Sequence, residues 1–263
     1  MKKRLDILLL ERNLFASREK ARTAIMTGRV IIDGRKETKA GTMVAEDVKI
    51  EVSGHDLPFV SRGGLKLEKA ITAFDLAFGG RIILDIGAST GGFTDCALQH
   101  GARKVYAVDV GYAQLAWSLR SDDRVVVLEK VNARYLTAKQ VPEKVDFITV
   151  DASFISLKKL IPPLADFLIE DGAFVALIKP QFEAGRDQVG KKGVVRDPAV
   201  HREVLRDLYT FFQENGWYVH GLTFSPVKGP EGNREYLVLL KAEKGSFAEA
   251  KIDQIVAKAF ACI

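Results

Sequence analysis

A mostly parallel α/β sheet, finished by an antiparallel hairpin and preceded by a small α+β module, is the fold that the amino-acid sequence predicts. Three observations carry it. From Arg81 onward, near-continuous apolar runs alternate with stretches of helical pattern, as in a parallel sheet covered on both faces. The last two of those runs stand close together with no room for a helix, which predicts an antiparallel pair. The first 57 residues follow another pattern: helix, helix, then short strands broken by Gly28, Gly34 and Gly41. The expected division is a module over 1–57, a linker and leading helix over 58–80, and a larger domain over 81–263.

In chain order, Leu5, Leu8 and Leu9 fall on one face of a helix, and Asp6, Glu11 and Arg12 break what would otherwise resemble a secretory leader. Ser17 is a suitable N-cap for a second helix, with Lys20 at the third helical position. That helix runs from about Arg18 to Met26 and stops at Thr27-Gly28. RVIIDG and VKIEV are the strands that follow, and Asp56–Lys69, with Ser61-Arg62-Gly63-Gly64, reads as a linker into the first helix of the larger domain. There the strand candidates are RIILDIG, KVYAVDV, RVVVLEK, DFITVDAS, GAFVALIKP, YVHGLTF and EYLVLLKA. Helical patterns lie between most of them, as around Phe93–His100 and His201–Glu214.

Composition narrows the class. A chain of 263 residues with 47% hydrophobic and 28% charged residues buries an ordinary core. Two cysteines, Cys96 and Cys262, make no disulfide framework, and four scattered histidines make no zinc cluster. No apolar run approaches the roughly 20 residues that span a bilayer, so a cytoplasmic protein without membrane insertion is expected. Residues 1–69 hold fifteen Lys/Arg against ten Asp/Glu, while the remaining 24 basic and 24 acidic residues cancel. The whole +5 excess therefore sits in the first quarter, the placement of a polyanion-binding module ahead of a neutral enzyme.

In an open parallel sheet, ligands bind at the carboxyl ends of the strands. The first strand ends in Asp85-Ile86-Gly87-Ala88-Ser89-Thr90-Gly91-Gly92-Phe93-Thr94-Asp95, a glycine-rich turn that is not the dinucleotide pattern. A pyrophosphate wants helix-end amides and no anion nearby, whereas Asp85 puts a carboxylate there. S-adenosyl-L-methionine, an ammonium and a sulfonium without phosphate, suits that setting. Asp109 ends the second strand, where an acid can accept both ribose hydroxyls. Asn132, after the third strand, is a candidate for the adenine edge or a turn residue.

The string RLDILLLERNLFASREKARTAIMTGRVIIDG, ending in the Asp47-Val48-Lys49-Ile50 strand, resembles the S4 RNA-binding domain. The resemblance implies that a basic face lies against structured RNA, with Arg18, Lys20, Arg22 and Arg29, and Arg4 beside them, as the contacts. SRGGLKL, DIGASTGGFTD, VDASFIS, IKPQFE, GVVRDP and Asn233-Arg234-Glu235-Tyr236 together resemble the TlyA/hemolysin A family, from about residue 3 to about residue 241. Those proteins look like FtsJ-type ribose 2′-O-methyltransferases with an S4 domain in front. The resemblance implies a Rossmann-like methyltransferase domain dependent on S-adenosyl-L-methionine behind a small α+β S4 domain. The implied substrate is ribosomal RNA, alone or in ribosomal subunits, methylated at cytidine ribose. It assigns a Lys-Asp-Lys-Glu tetrad to Lys66, Asp151, Lys179 and Glu235, and Ser89 agrees with this narrower family where many methyltransferases have glycine.

Attack of a 2′-hydroxyl on a sulfonium methyl needs the hydroxyl oriented and its proton removed. A lysine in a buried, positively crowded site has a lowered pKa and can do either; Lys179 is the expected residue, with Lys66 the cation that depresses it. Asp151 and Glu235 would fix the ammonium groups and the sugar. Phe182 is a candidate for stacking on a nucleobase or for the core, and Glu183–Pro198 reads as a mobile basic loop. Two alternatives stand beside the enzyme. One is an RNA-binding protein that keeps the fold without turnover, which the intact tetrad opposes. The other is a membrane-damaging hemolysin, which the absence of a spanning segment, an export signal and an amphipathic barrel pattern opposes.

Overall fold

The computed structural model describes residues 2–15, 17–53, 57–229, 231–245 and 247–262. The chain forms two compact units, Met1–Ser61 and Arg62–Ile263. Asp56, the first residue of the expected linker, lies outside the described residues.

The first unit comprises β1 (Lys2–Arg4), α1 (Leu5–Glu11), α2 (Arg18–Met26), β2 (Val30–Ile32), β3 (Arg35–Glu37), β4 (Met43–Ala45) and β5 (Ile50–Val52). Its core gathers Leu5, Leu8 and Leu9 from α1, Ala21, Ala24 and Ile25 from α2, and Val30 and Val44 from the strands. Ser17 caps α2 as expected, its Oγ accepting the Lys20 N–H at 3.2 Å. β2 lies between β3 and β5 in an antiparallel sheet, and β1 pairs with β4. Strands β1, β3 and β4 escape sequence reading because three residues are too short to display alternation, and Lys2-Lys3-Arg4 and Arg35-Lys36-Glu37 are charged throughout.

The second unit opens with α3 (Gly63–Phe74), so Gly63 and Gly64 belong to a helix and not to the linker. It continues through β6 (Ile82–Ile86), α4 (Gly92–Gln99), β7 (Lys104–Asp109), α5 (Trp117–Arg120), β8 (Val125–Glu129), β9 (Val145–Val150), α6 (Ile161–Leu164), β10 (Leu168–Ile178), α7 (Pro180–Glu183), α8 (Pro198–Glu214), β11 (Tyr218–Phe224), β12 (Tyr236–Lys241) and α9 (Lys251–Cys262). The sheet runs β11-β12-β10-β9-β6-β7-β8, parallel from β10 to β8, with β12 antiparallel to both neighbours. All seven expected strands are present. The connections are less helical than expected: β7 to β8 holds only four-residue α5, and β8 to β9 only a short 3-10 turn at Ala133–Tyr135. α9 was not anticipated; its Ile252, Val256 and Ala259 pack on the core at helical spacing. From β6 the chain moves out to β7 and β8, then returns on the other side to β9, so the order reverses between β6 and β9. A crevice opens at the carboxyl ends of strands at such a reversal.

Candidate active site

Four ionisable side chains meet at that edge. Lys66 stands in the first turn of α3, Asp151 follows β9, Lys179 follows β10, and Glu235 precedes the antiparallel β12. Their charges alternate. Glu235 Oε2 lies 2.7 Å from Lys66 Nζ, which lies 3.5 Å from Asp151 Oδ2, and Asp151 Oδ1 lies 2.6 Å from Lys179 Nζ. Lys179 also donates to Ser153 Oγ at 2.9 Å. The Glu235 side chain is 1% exposed and that of Asp151 18%, so the cluster opens to solvent on the Asp151 side. The site is therefore not the positively crowded one expected. Each ammonium faces a carboxylate, and Lys66, rather than crowding Lys179, is itself held above the ordinary lysine range: burial pulls it down, but Asp151 and Glu235 outweigh that. A Cβ on Gly229 would sit 2.6 Å from Glu235 Oε1, so the chain passes against that carboxylate.

The glycine-rich turn touches this cluster. Gly87 has φ +83°, and a Cβ there would lie 2.7 Å from the Asp151 carbonyl oxygen; the Asp151 N–H donates to Ile86 O at 2.9 Å. A side chain at Gly91, φ +99°, would run into Leu115 and Leu119. Ser89 takes up a left-handed φ of 49°, aiming its N–H at Asp109 Oδ2 at 2.8 Å, while the Gly111 N–H reaches Asp109 Oδ1 at 2.6 Å. Each of those oxygens keeps a further lone pair for a ligand hydroxyl. Gly92 begins α4.

Three expected cofactor residues stand differently from their reading. Asp85 is 1% exposed, and its oxygens accept from Thr94 Oγ1 at 2.6 Å and Thr149 Oγ1 at 2.9 Å. It ties strand to helix behind the turn instead of presenting a free carboxylate, and burial pushes it up to about 6. The Phe93 side chain is buried in the core, leaving its backbone alone at the turn. Asn132 caps the 3-10 turn after β8, its Oδ1 accepting the Arg134 N–H at 3.1 Å. The electrostatics still suit a cation. Asp85, Asp95, Asp109 and Asp151 stand on or beside the turn, and no Lys or Arg occurs from Ile82 to Ala102.

An aromatic pair borders the lysine. Phe182 is half-buried, and its ring centroid lies 5.0 Å from that of Phe154 and 6.0 Å from Lys179 Nζ. Phe154 is 90% exposed at φ +63°, a backbone state in which an aromatic residue is strained. Sequence reasoning missed both Phe154 and Ser153, because a left-handed loop residue leaves no periodic signal. The stretch after α7 is more fixed than expected. Val194 and Val195 are buried, Asn233 accepts the Val195 N–H and donates to Gly193 O, and His201 joins Val195 O to the Tyr236 hydroxyl. Arg186, Lys191, Lys192 and Arg196 stay exposed along it.

In the first unit, Asp6 is buried and receives Arg4 and Arg18, each at 3.0 Å. Foremost the Arg4 hydrogen bonds, then those of Arg18, hold its carboxyl below the usual range. Those two arginines thus brace the module as well as showing a face. Arg29 Nε donates to Ser53 O, and Lys20 and Arg22 are exposed on α2.

Residues 59–242 match the FtsJ-like methyltransferase family, and residues 3–50 match the S4 domain. The chain is 52% identical over 243 residues to YqxC of Bacillus subtilis, covering 91% of this chain and 85% of that one. It is 44% identical over 249 residues to the 16S/23S rRNA (cytidine-2′-O)-methyltransferase TlyA of Mycobacterium tuberculosis, covering 94% and 93%. A Streptococcus thermophilus protein whose solved structure bears the name hemolysin is 43% identical, with a TM-score of 0.79 over 99% of this chain and 96% of that one.

Proposed function

The chain belongs to the FtsJ-like methyltransferase family with an S4 domain ahead of the catalytic unit, and on that premise we propose that it methylates the 2′-hydroxyl of a cytidine in ribosomal RNA, using S-adenosyl-L-methionine. The observation that carries this reading is the contact of Gly87 with the Asp151 backbone: the turn suited to a cationic cofactor abuts the residue whose carboxylate bridges two lysines. Cytidine and ribosomal RNA are taken from the name of the Mycobacterium tuberculosis relative.

When bound, S-adenosyl-L-methionine supplies a methyl group on a cationic sulfur. Asp109, with Ser89 and Gly111 fixing its carboxylate, accepts the ribose hydroxyls of that cofactor. Lys179 has three N–H donors; Asp151 Oδ1 and Ser153 Oγ take two closely, and the third goes to the Asp151 carbonyl oxygen at a long 3.4 Å. The substrate 2′-oxygen replaces that long contact and is oriented by the third N–H so that a lone pair points along the line of attack. The hydroxyl proton would acidify as the 2′-oxygen took up that methyl group. Lys179 passes one of its own protons to Asp151 and takes up the one from the hydroxyl, so the net transfer is to Asp151. Lys66 and Glu235 hold Asp151 in place; positioning of this kind supplies most of the rate when both reactants are bound.

Phe154 and Phe182 offer a stacking platform beside Lys179, since unstacked RNA bases are commonly held on aromatic faces. Gln181 Oε1, enclosed and without a hydrogen-bond partner in the structure, adds an acceptor on the same turn. Tyr112 under Lys130 at 4.4 Å and Tyr135 beside Arg134 at 5.1 Å extend an aromatic and basic surface along the strand ends. Among the described residues no helix is long and apolar enough to cross a membrane, so the hemolysin name finds no spanning helix here. The deciding experiment incubates the protein with methyl-labelled cofactor and purified small and large ribosomal subunits, then maps the label. Label on a cytidine ribose is expected; label on a base, or none, sinks the reading.

A further inference from the structure

The catalytic scheme leaves one enclosed carboxylate without a task. Glu183 closes α7, the four-residue turn that begins just after Lys179 and includes Phe182. Its Oε2 accepts from Ser156 Oγ at 2.6 Å and its Oε1 from the Leu157 N–H at 2.8 Å. No lysine or arginine pairs with it among the described ion pairs; the nearby Lys158 is engaged by Asp207 of α8 at 2.7 Å. Burial raises the Glu183 pKa, against the two hydrogen bonds. A half-buried acid without an ion pair is an expensive way to fill space. Its geometry shows what it does.

The two hydrogen bonds join the segments that carry the chemistry. One, after β9, bears Asp151, Ser153 and Phe154; the other, after β10, bears Lys179 and Phe182. Neither is held by a strand ladder, and a four-residue helix is too short to hold itself. Ser156 is built into the same join, since its Oγ also accepts the Lys158 N–H at 3.1 Å. We propose that Glu183 is a positioning residue: it clamps the loop after β9 to the turn after β10. The clamp sets both the Phe154–Phe182 spacing and the reach of Lys179 Nζ to Asp151 and Ser153 on the loop after β9. It touches no reacting atom. The inference rests on the methyl-transfer reading above, in which Lys179 and the two rings act on the target nucleotide.

The test compares full-length wild type, Glu183→Ala, Glu183→Gln, Ser156→Ala and the double variant Ser156→Ala/Glu183→Ala. Turnover on ribosomal subunits, calorimetric affinity for S-adenosylhomocysteine and backbone hydrogen exchange are measured for each. Glu183→Ala should lower kcat/KM by about 10²-fold, the loss expected when reacting groups drift by about an ångström. Its cofactor affinity should stay within about twofold, because Glu183 lies outside the glycine turn. Glu183→Gln keeps an acceptor for Leu157 and should recover most of the rate. The double variant should be no worse than Glu183→Ala, as expected of two members of one device. In Glu183→Ala the Leu157 amide should exchange faster while Ile148 and Thr149 of β9 do not. A folded Glu183→Ala with unchanged kcat/KM, or with unchanged Leu157 exchange, overturns the clamp. Loss shared by cofactor affinity and β9 exchange, unrescued by Gln, overturns it in favour of a merely structural acid. A wild type that transfers no methyl to RNA sinks the methyl-transfer reading, and the positioning role with it, whereas an active wild type beside an unaffected Glu183→Ala sinks the positioning role alone.

Discussion

Lys179 has three N–H bonds to give: two are held closely by Asp151 Oδ1 and Ser153 Oγ, and the third reaches the Asp151 carbonyl oxygen only at 3.4 Å. If the third orients the 2′-oxygen, Lys179→Ala should lower kcat and kcat/KM together by about 10²–10⁴-fold, the usual contribution of a positioned acid–base group. Cofactor and RNA dissociation constants should barely move. Lys179→Arg should not rescue, because a guanidinium neither sheds a proton nor matches the ammonium's shape; a fully active Arg variant would leave only a fixed charge. Asp85 makes a prediction about stability. Its pKa is raised to about 6, so the stability it contributes is fully present below about pH 4 and is lost as pH rises through 6. Asp85→Asn, which can keep both threonine partners, should gain on wild type by roughly 3 kcal/mol between pH 4 and pH 7, about two pK units at 1.36 kcal/mol each. Denaturant unfolding at the two pH values measures it, and a constant difference between the proteins would refute it. The tetrad and Asp109 were legible as residues, because acids and lysines at strand ends stand out against apolar runs. Asp85 was legible as a residue but not in its role, since no sequence feature says which way a strand-end carboxylate faces.

Among the elements, the strap from Gly190 to Arg196 ties GVVRDP and the Asn233–Tyr236 motif to one purpose. Asn233 answers the Val195 N–H and Gly193 C=O, and His201 bridges Val195 O to Tyr236, the neighbour of Glu235. Asn233→Ala leaves the buried Val195 N–H unmet and frees the Gly193 C=O, and should destabilise the protein by about 1–3 kcal/mol. The Val195 amide should then exchange faster than amides in β10; equal protection in variant and wild type would contradict the bracket. Burial lowers the His201 pKa, so its contribution is present above pH 6.5 and is lost as pH falls below that. The strap should therefore loosen on mild acidification, opposite in sign to the Asp85 effect. Seven sheet strands were readable because burial on both faces demands unbroken apolar runs. The β7–β8 and β8–β9 connections were over-read as helical, since a few apolar residues in a loop can copy a helical face by chance. The strap was read as mobile from its glycines and charges; what holds it comes from Asn233, about 40 positions away.

For the molecule as a whole, the S4 match lies in the first unit and nearly all of the FtsJ-like match in the second. If Lys20, Arg22 and Arg29 each meet a phosphate, the logarithm of RNA affinity should fall with the logarithm of salt at a slope near −2 to −3, about 0.7–0.9 per contact. Lys20→Ala/Arg22→Ala should flatten that slope by roughly 1.5 and leave cofactor affinity alone. A slope unchanged by the double variant would move the RNA face elsewhere. The sequence by itself determined the class of fold, the presence of an S4 module, and the residues that meet at the strand ends. The fold class follows from local rules, apolar period and turn glycines, whereas the S4 module and the tetrad were legible through their resemblance to a known family. The tertiary structure alone decided that the cluster's charges alternate, that Asp85 and Phe93 face inward, that Arg4 and Arg18 brace Asp6, that Phe154 packs on Phe182, and that Glu183 accepts from Ser156 and Leu157. Each of those depends on which distant segments the sheet order brings together. A strand fixes the side of the sheet for its own side chains, but the partner across a crevice is set by the reversal between β6 and β9.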